Sequence, residues 1–131
     1  MVKRANFLIE ALDLIGAPPN GEVIVGRVEE IARDPELVEA FDLVTARSFG
    51  PPSVTAECAA QFLKIGGALI VSEPPDDSVI DRWIPSGLQK LGLVSKGRIR
   101  HAAAYQVLVK TARTPLEYPR SVGTPRKRPL F

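Results

Sequence analysis

One cysteine, one histidine, one tryptophan and one methionine are spread over 131 residues, and each scarcity removes a class of chemistry. Cys58 alone forms no internal disulfide, and with His101 as its only histidine partner the chain has no Cys/His set for zinc. A Ser/His/Asp arrangement is equally disfavoured, because His101 stands in a basic stretch with no nucleophile motif around it. Cys58 shares helical spacing with Val54 and Phe62, which marks it as a buried apolar filler. No apolar run approaches the ~20 residues needed to cross a bilayer. Met1-Val2-Lys3-Arg4 leads into an amphipathic stretch instead of a secretory signal, which points to the cytoplasm.

Acidic residues are scarce in one place only. Residues 96–131 carry nine Lys/Arg against a single Asp/Glu, whereas residues 1–95 carry eight against fourteen. The overall charge of +2 therefore hides a basic C-terminal quarter, a candidate surface for a polyanion.

What remains is 45% hydrophobic, and its periodicity alternates. Phe7, Leu8, Ala11, Leu12, Leu14 and Ile15 recur at helical spacing and stop at Gly16, predicting a helix over residues 4–15. After Pro18-Pro19-Asn20-Gly21 the β-branched Val23-Ile24-Val25 predicts a short strand over 22–26. A short helix is expected over 28–33, ended by Asp34-Pro35, and a strand over 41–46. Ser53 is expected to cap a helix running to Lys64 and stopped by Gly66-Gly67. Ala68-Leu69-Ile70-Val71 then reads as a strand covered on both faces. Ser78 opens a further helix that Pro85 interrupts and Leu88 and Leu91 carry to Gly92. Two closely spaced strands, over about 93–100 and 103–111, require a hairpin. On the first, Lys96, Arg98 and Arg100 should share one face. From Ala112, with Pro115, Pro119, Pro125 and Pro129, the chain reads as an extended tail. The fold class is α/β, an open and mostly parallel sheet with helices on both faces and a C-terminal antiparallel hairpin.

Four stretches, taken in order, resemble one family: Gly26-Arg27-Val28-Glu29-Glu30; Phe41-Asp42-Leu43-Val44-Thr45-Ala46-Arg47; Gly66-Gly67 before a strand; and residues 114–130, with Tyr118-Pro119-Arg120, Gly123-Thr124-Pro125 and Lys127-Arg128-Pro129-Leu130 the most specific. The family is the ribosomal small-subunit methyltransferase G family, also called glucose-inhibited division protein B. The resemblance implies a class I, Rossmann-like methyltransferase sheet, S-adenosylmethionine as cofactor, and a guanine of small-subunit rRNA methylated at N7. It implies cofactor contacts at Val28, Glu29 and Arg47, and a partner in ribosomal RNA or the small subunit. Arg113, Arg120, Arg126, Lys127 and Arg128 would then neutralise phosphates, with Tyr118 stacking on a base or packing beneath the tail.

The resemblance also implies parts that these residues do not contain: a glycine-rich loop, and a strand whose acidic end holds the ribose. Residues 1–111 thus match the C-terminal part of the methyltransferase domain and 112–131 its basic, proline-rich tail, as if the chain began at an internal methionine and bound cofactor weakly or not at all. In the family's sheet the two missing strands lie between 22–26 and 41–47, so exposed edges are expected, and a homodimer is one way to close them. The family carries lysine and glycine after the double-glycine strand; here Glu73 and Pro74 stand there. A non-catalytic RNA-binding remnant and a methyltransferase with another substrate remain open beside the rRNA enzyme.

Overall fold

A computed structural model describes residues 1–16, 20–75 and 81–131. Its centre is a four-stranded sheet of β1 (Phe41–Ala46), β2 (Leu63–Glu73), β3 (Leu93–His101) and β4 (Ala103–Lys110), in the order β1-β2-β4-β3. Only β1 and β2 run parallel; β4 is antiparallel to both its neighbours. The expectation of a mostly parallel sheet is therefore corrected. The β3–β4 hairpin docks through its second strand, so β4 lies between β2 and β3 and both of its pairings are antiparallel.

The double glycine belongs to β2, not to a helix end. The helix α3 (Pro52–Ala59) runs into a single 3-10 turn, Ala60–Phe62, and Leu63 is already extended. Between Phe41↔Leu63 and Leu43↔Ala68, β1 advances two residues while β2 advances five. Gly66 and Gly67 lie in that bulge: Gly66 has φ +90°, and a Cβ on Gly67 would stand 2.9 Å from the Lys64 carbonyl and 3.0 Å from that of Asp42. Glycine is what lets the two backbones approach so closely.

Residues 21–25 form no strand, and Ile24 and Val25 are exposed. A strand needs a neighbour for its N–H and C=O groups, and among the described residues none pairs with residues 21–25. The helix α1 (Val2–Ile15) forms much as its periodicity predicts, yet only Ala5 is buried, and Phe7, Leu8, Leu14 and Ile15 are exposed. The short helix α2 spans Val28–Ile31. Pro85 opens the helix α4 (Pro85–Lys90) instead of interrupting one; at a first helical position its missing N–H costs nothing. Arg82 and Trp83 are not helical, and Ser78, Val79 and Ile80 lie outside the described residues.

One face of the sheet is covered. Leu69, Val71, Leu93 and Leu108 pack with Ala56, Ala59 and Ala60, with Leu88 and Leu91 of α4, and with Trp83. At roughly 25 cal/mol per Å² of apolar surface removed from water, this cluster is the main stabilising element. The opposite face carries Leu43, Ile70, Val94, Ile99, Tyr105 and Val107, half-buried or exposed. Among the described residues, then, helices cover one face and not both.

The C-terminal segment folds back on the body instead of extending from it. Ser53, Glu57 and Gln61, four residues apart, form a polar stripe that receives it. The Ser53 hydroxyl accepts from the Leu130 amide at 2.8 Å and from that of Phe131 at 3.3 Å, so it caps no helix end. Glu57 accepts from Arg120, and the Gln61 amide donates to the carbonyls of Pro115 and Tyr118, each at 2.9 Å. Thr114, Pro119 and Pro125 are buried, and Thr124–Lys127 form the one-turn helix α5.

Candidate functional site at the carboxyl rim of β1

Ligands of open α/β sheets sit beyond the carboxyl ends of the strands, where loops and helix N-termini converge. Three cavities meet here. A slot of about 220 Å³ is lined by Val28, Val44, Ala46, Phe49, Cys58 and Phe62 among others, nearly all apolar. Its lining suits an apolar group. Val28, Phe49 and Cys58 also border a second cavity of about 470 Å³, whose rim carries Arg27, Glu29, Arg126 and Lys127. On the other side, Thr45 and Ala46 separate the slot from a third cavity of about 410 Å³ that includes Arg47, Ser72, Glu73, Arg100 and Tyr105.

Glu29 is buried and already occupied. Arg27 donates to it at 3.0 Å and the Gly123 amide at 3.2 Å. The Arg27 hydrogen bond is the first cause holding this carboxyl below its ordinary value, with Gly123 adding to it and burial opposing. Gly123 has φ +82°, a left-handed conformation natural to glycine, and its N–H meets the carboxylate. Glu29 thus ties the N-terminus of α2 to the C-terminal segment. Cys58 beside it has its thiol pushed up to about 12, chiefly by burial.

Val28 and Glu29 therefore stand together, and Arg47 stands across the Thr45–Ala46 wall, exposed and without an ion pair among the described residues. The cations of the C-terminal quarter divide. Arg120 is committed to Glu57 and the Arg128 carbonyl, and Lys110 is wholly buried, donating to the Ala60 and Leu63 carbonyls. Arg113 lies 3.7 Å from Glu39, and Arg98 donates to the Pro74 carbonyl. Arg126 and Lys127 face the second cavity. Tyr118 packs against the core cluster, beneath the segment. Lys96 falls in a bulge between Ser95 and Gly97, which removes it from the alternation that Arg98 and Arg100 keep.

The Glu73 side chain is nearly buried. It accepts from the Trp83 indole at 2.8 Å and pairs with Arg82 at 3.4 Å. Arg82 thus offsets the charge of the Glu73 carboxylate. Among the described residues no group of three or more His, Cys, Asp or Glu is placed to hold a metal ion, and no helix is long and apolar enough to cross a membrane.

No family model matches the chain. Single relatives do. The ribosomal RNA small subunit methyltransferase G of Leuconostoc mesenteroides is 33% identical over 98% of this chain and 56% of its own length. The protein of that name from Lactobacillus delbrueckii subsp. bulgaricus is 34% identical over 98% and 56%, and that from Synechococcus elongatus 33% over 98% and 55%. The chain belongs to the ribosomal RNA small subunit methyltransferase G family. It corresponds to a C-terminal portion and spans little more than half the length of these curated relatives. Phe49, Ser72 and Tyr105 also line these cavities, and none stood out in the sequence. Only the period-two placement of Tyr105 with Val107 and Val109 hinted that it faces away from the core.

Proposed function

We propose that this chain is the adenine-binding and RNA-facing portion of an S-adenosylmethionine-dependent methyltransferase that acts on small-subunit rRNA at guanine N7. The observation that carries the reading is the apolar slot at Val28, opening at the carboxyl end of β1 in a chain with about one-third identity to methyltransferase G proteins over nearly its whole length. Val28 and the N-terminus of α2 would hold the adenine ring. Glu29 would act chiefly by fixing that N-terminus, since its carboxylate is engaged by Arg27 and Gly123. Arg47 would meet the cofactor's carboxylate from the other side of Ala46.

When bound, the cofactor supplies an electrophilic methyl group on a sulfonium. Guanine N7 has its own lone pair, which forms the new N–C bond as the S–C pair returns to sulfur, so no general base is required. The protein's task is alignment, which by itself lowers such barriers substantially. Arg113, Arg126, Lys127 and Arg128 would bind phosphates, while Arg120 and Tyr118 hold the segment that presents them.

The test is a chimera that joins the N-terminal portion of a relative to this chain, expressed in bacteria lacking their own methyltransferase G. Restored N7 methylation of the small-subunit rRNA, abolished by Val28→Trp, is the expected result. A folded chimera that binds S-adenosylmethionine yet leaves the rRNA unmethylated would overturn the substrate assignment.

A further inference from the structure

We infer that the open edge of β1 is a self-association surface, on which β1 of a second copy of this chain pairs antiparallel about a twofold axis. Among the described residues β1 pairs only with β2, and β3 only with β4, so the sheet has two edges. An edge strand presents a row of N–H and C=O groups without partners, and soluble proteins blunt it with bulges, lysines or prolines. The β3 edge is blunted in this way. Its register slips between Ser95 and Gly97, Lys96 stands in the bulge, and Arg98 donates to the Pro74 carbonyl. The β1 edge carries none of these devices. Phe41–Ala46 holds no proline, lysine or arginine, the extra residues at its irregularity belong to β2, and none of its six residues is buried.

The edge is also complementary to itself. Twofold pairing opposes residues that share a face, so their positions differ by an even number. Centred on Leu43 or on Val44, it sets Asp42, the one charge of β1, against Val44 or Ala46 and never against its own copy. Asp42 keeps Lys64 at 3.7 Å within its own chain. Either register joins two four-stranded sheets into one continuous sheet and lays their uncovered faces side by side. The row of Leu43, Ala68, Val109 and Val94 then continues across the axis. Each copy has one unblunted edge, so assembly closes at two. A pair of short strands buries less than the roughly 800 Å² per partner of a standard interface, which puts the dimer in the micromolar range.

Sedimentation equilibrium of the 131-residue chain, with hydrogen exchange read by NMR, tests this. The mass should rise from 14.2 kDa to twice that across micromolar concentrations. The β1 amides that point away from β2 should exchange more slowly as it does. Leu43→Lys places like charges opposite or diagonal across the axis and should weaken the dimer roughly tenfold or more. Val94→Lys is the control, changing a comparably exposed apolar residue of the same row on the β3 edge, 43% against 53% for Leu43. It should leave the dimer unchanged. Emission of buried Trp83 reports that each variant is folded, and if Leu43→Lys is not, the exchange of the parent decides alone. A mass fixed at 14.2 kDa overturns the inference, whether or not the separate N-terminal portion of a relative binds the edge. So does a mass that climbs past the dimer. A dimer that Leu43→Lys leaves intact, that Val94→Lys weakens as much, or whose β1 amides exchange as in the monomer overturns it too.

Discussion

Arg120 and Glu57, 63 residues apart, close a two-pronged pair, with Nε and Nη2 each 2.8 Å from a carboxylate oxygen and the Arg120 amide 2.9 Å from one of them. The Glu57 side chain is wholly buried and that of Arg120 one-quarter exposed. Removing the arginine leaves a carboxylate without its cation inside the protein. Arg120→Ala should therefore cost about 3–5 kcal/mol in urea unfolding, while the double change Glu57→Leu with Arg120→Leu should recover much of it. A loss under about 1 kcal/mol for Arg120→Ala would mean that the segment does not hang on this pair.

Glu29 makes a second tie, and its sign with pH is defined. Its native carboxyl titrates below the ordinary 4.5, first because of Arg27. The ionised pair therefore adds stability at all pH above that ordinary value and loses it as the pH falls through the lower native one. Glu29→Gln should be less stable than the parent at neutral pH, by about 1.5–3 kcal/mol for hydrogen bonds to a charged group. The two stabilities should converge in acid. A constant gap across that range would contradict the assignment.

Much of this was legible in advance, and the failures share a cause. The helix α1, strand β1 and the hairpin followed from local periodicity. Gly66-Gly67 looked like a helix stop because a bulge is set by the partner strand, which a local pattern does not contain. Val23-Ile24-Val25 looked like a strand because the residues suit one, yet pairing needs a neighbour that the described residues do not provide. Ser53 looked like a cap, and only the returning C-terminal segment explains its hydroxyl. At the site, Val28 and Arg47 line two different cavities, and the motifs that hold them were legible in the sequence. Tyr105 stayed hidden because its place depends on three strands meeting.

Cys58 should be inert. With its thiol pushed up to about 12 and only 2% of the residue exposed, iodoacetamide at pH 8 should modify the native chain far more slowly than the urea-unfolded one. Equal rates would show that the slot is open to solvent and reagents.

The basic cluster should act through phosphates. Changing Arg126, Lys127 and Arg128 together to alanine should lower the slope of log affinity against log salt by roughly 2 for single-stranded RNA, at about 0.7 per phosphate contact. Fluorescence anisotropy with a small-subunit rRNA fragment measures it. An unchanged slope would remove these residues from the RNA surface.

The slot at Val28 carries the account, and a heteronuclear NMR titration of the chain with S-adenosylmethionine tests it most directly. Shifts should concentrate at Val28, Phe49, Cys58 and Phe62, saturate weakly, on the order of millimolar, in the absence of a glycine-rich loop, and vanish in Val28→Trp. Shifts confined to the basic C-terminal segment, or undiminished in Val28→Trp, would contradict it.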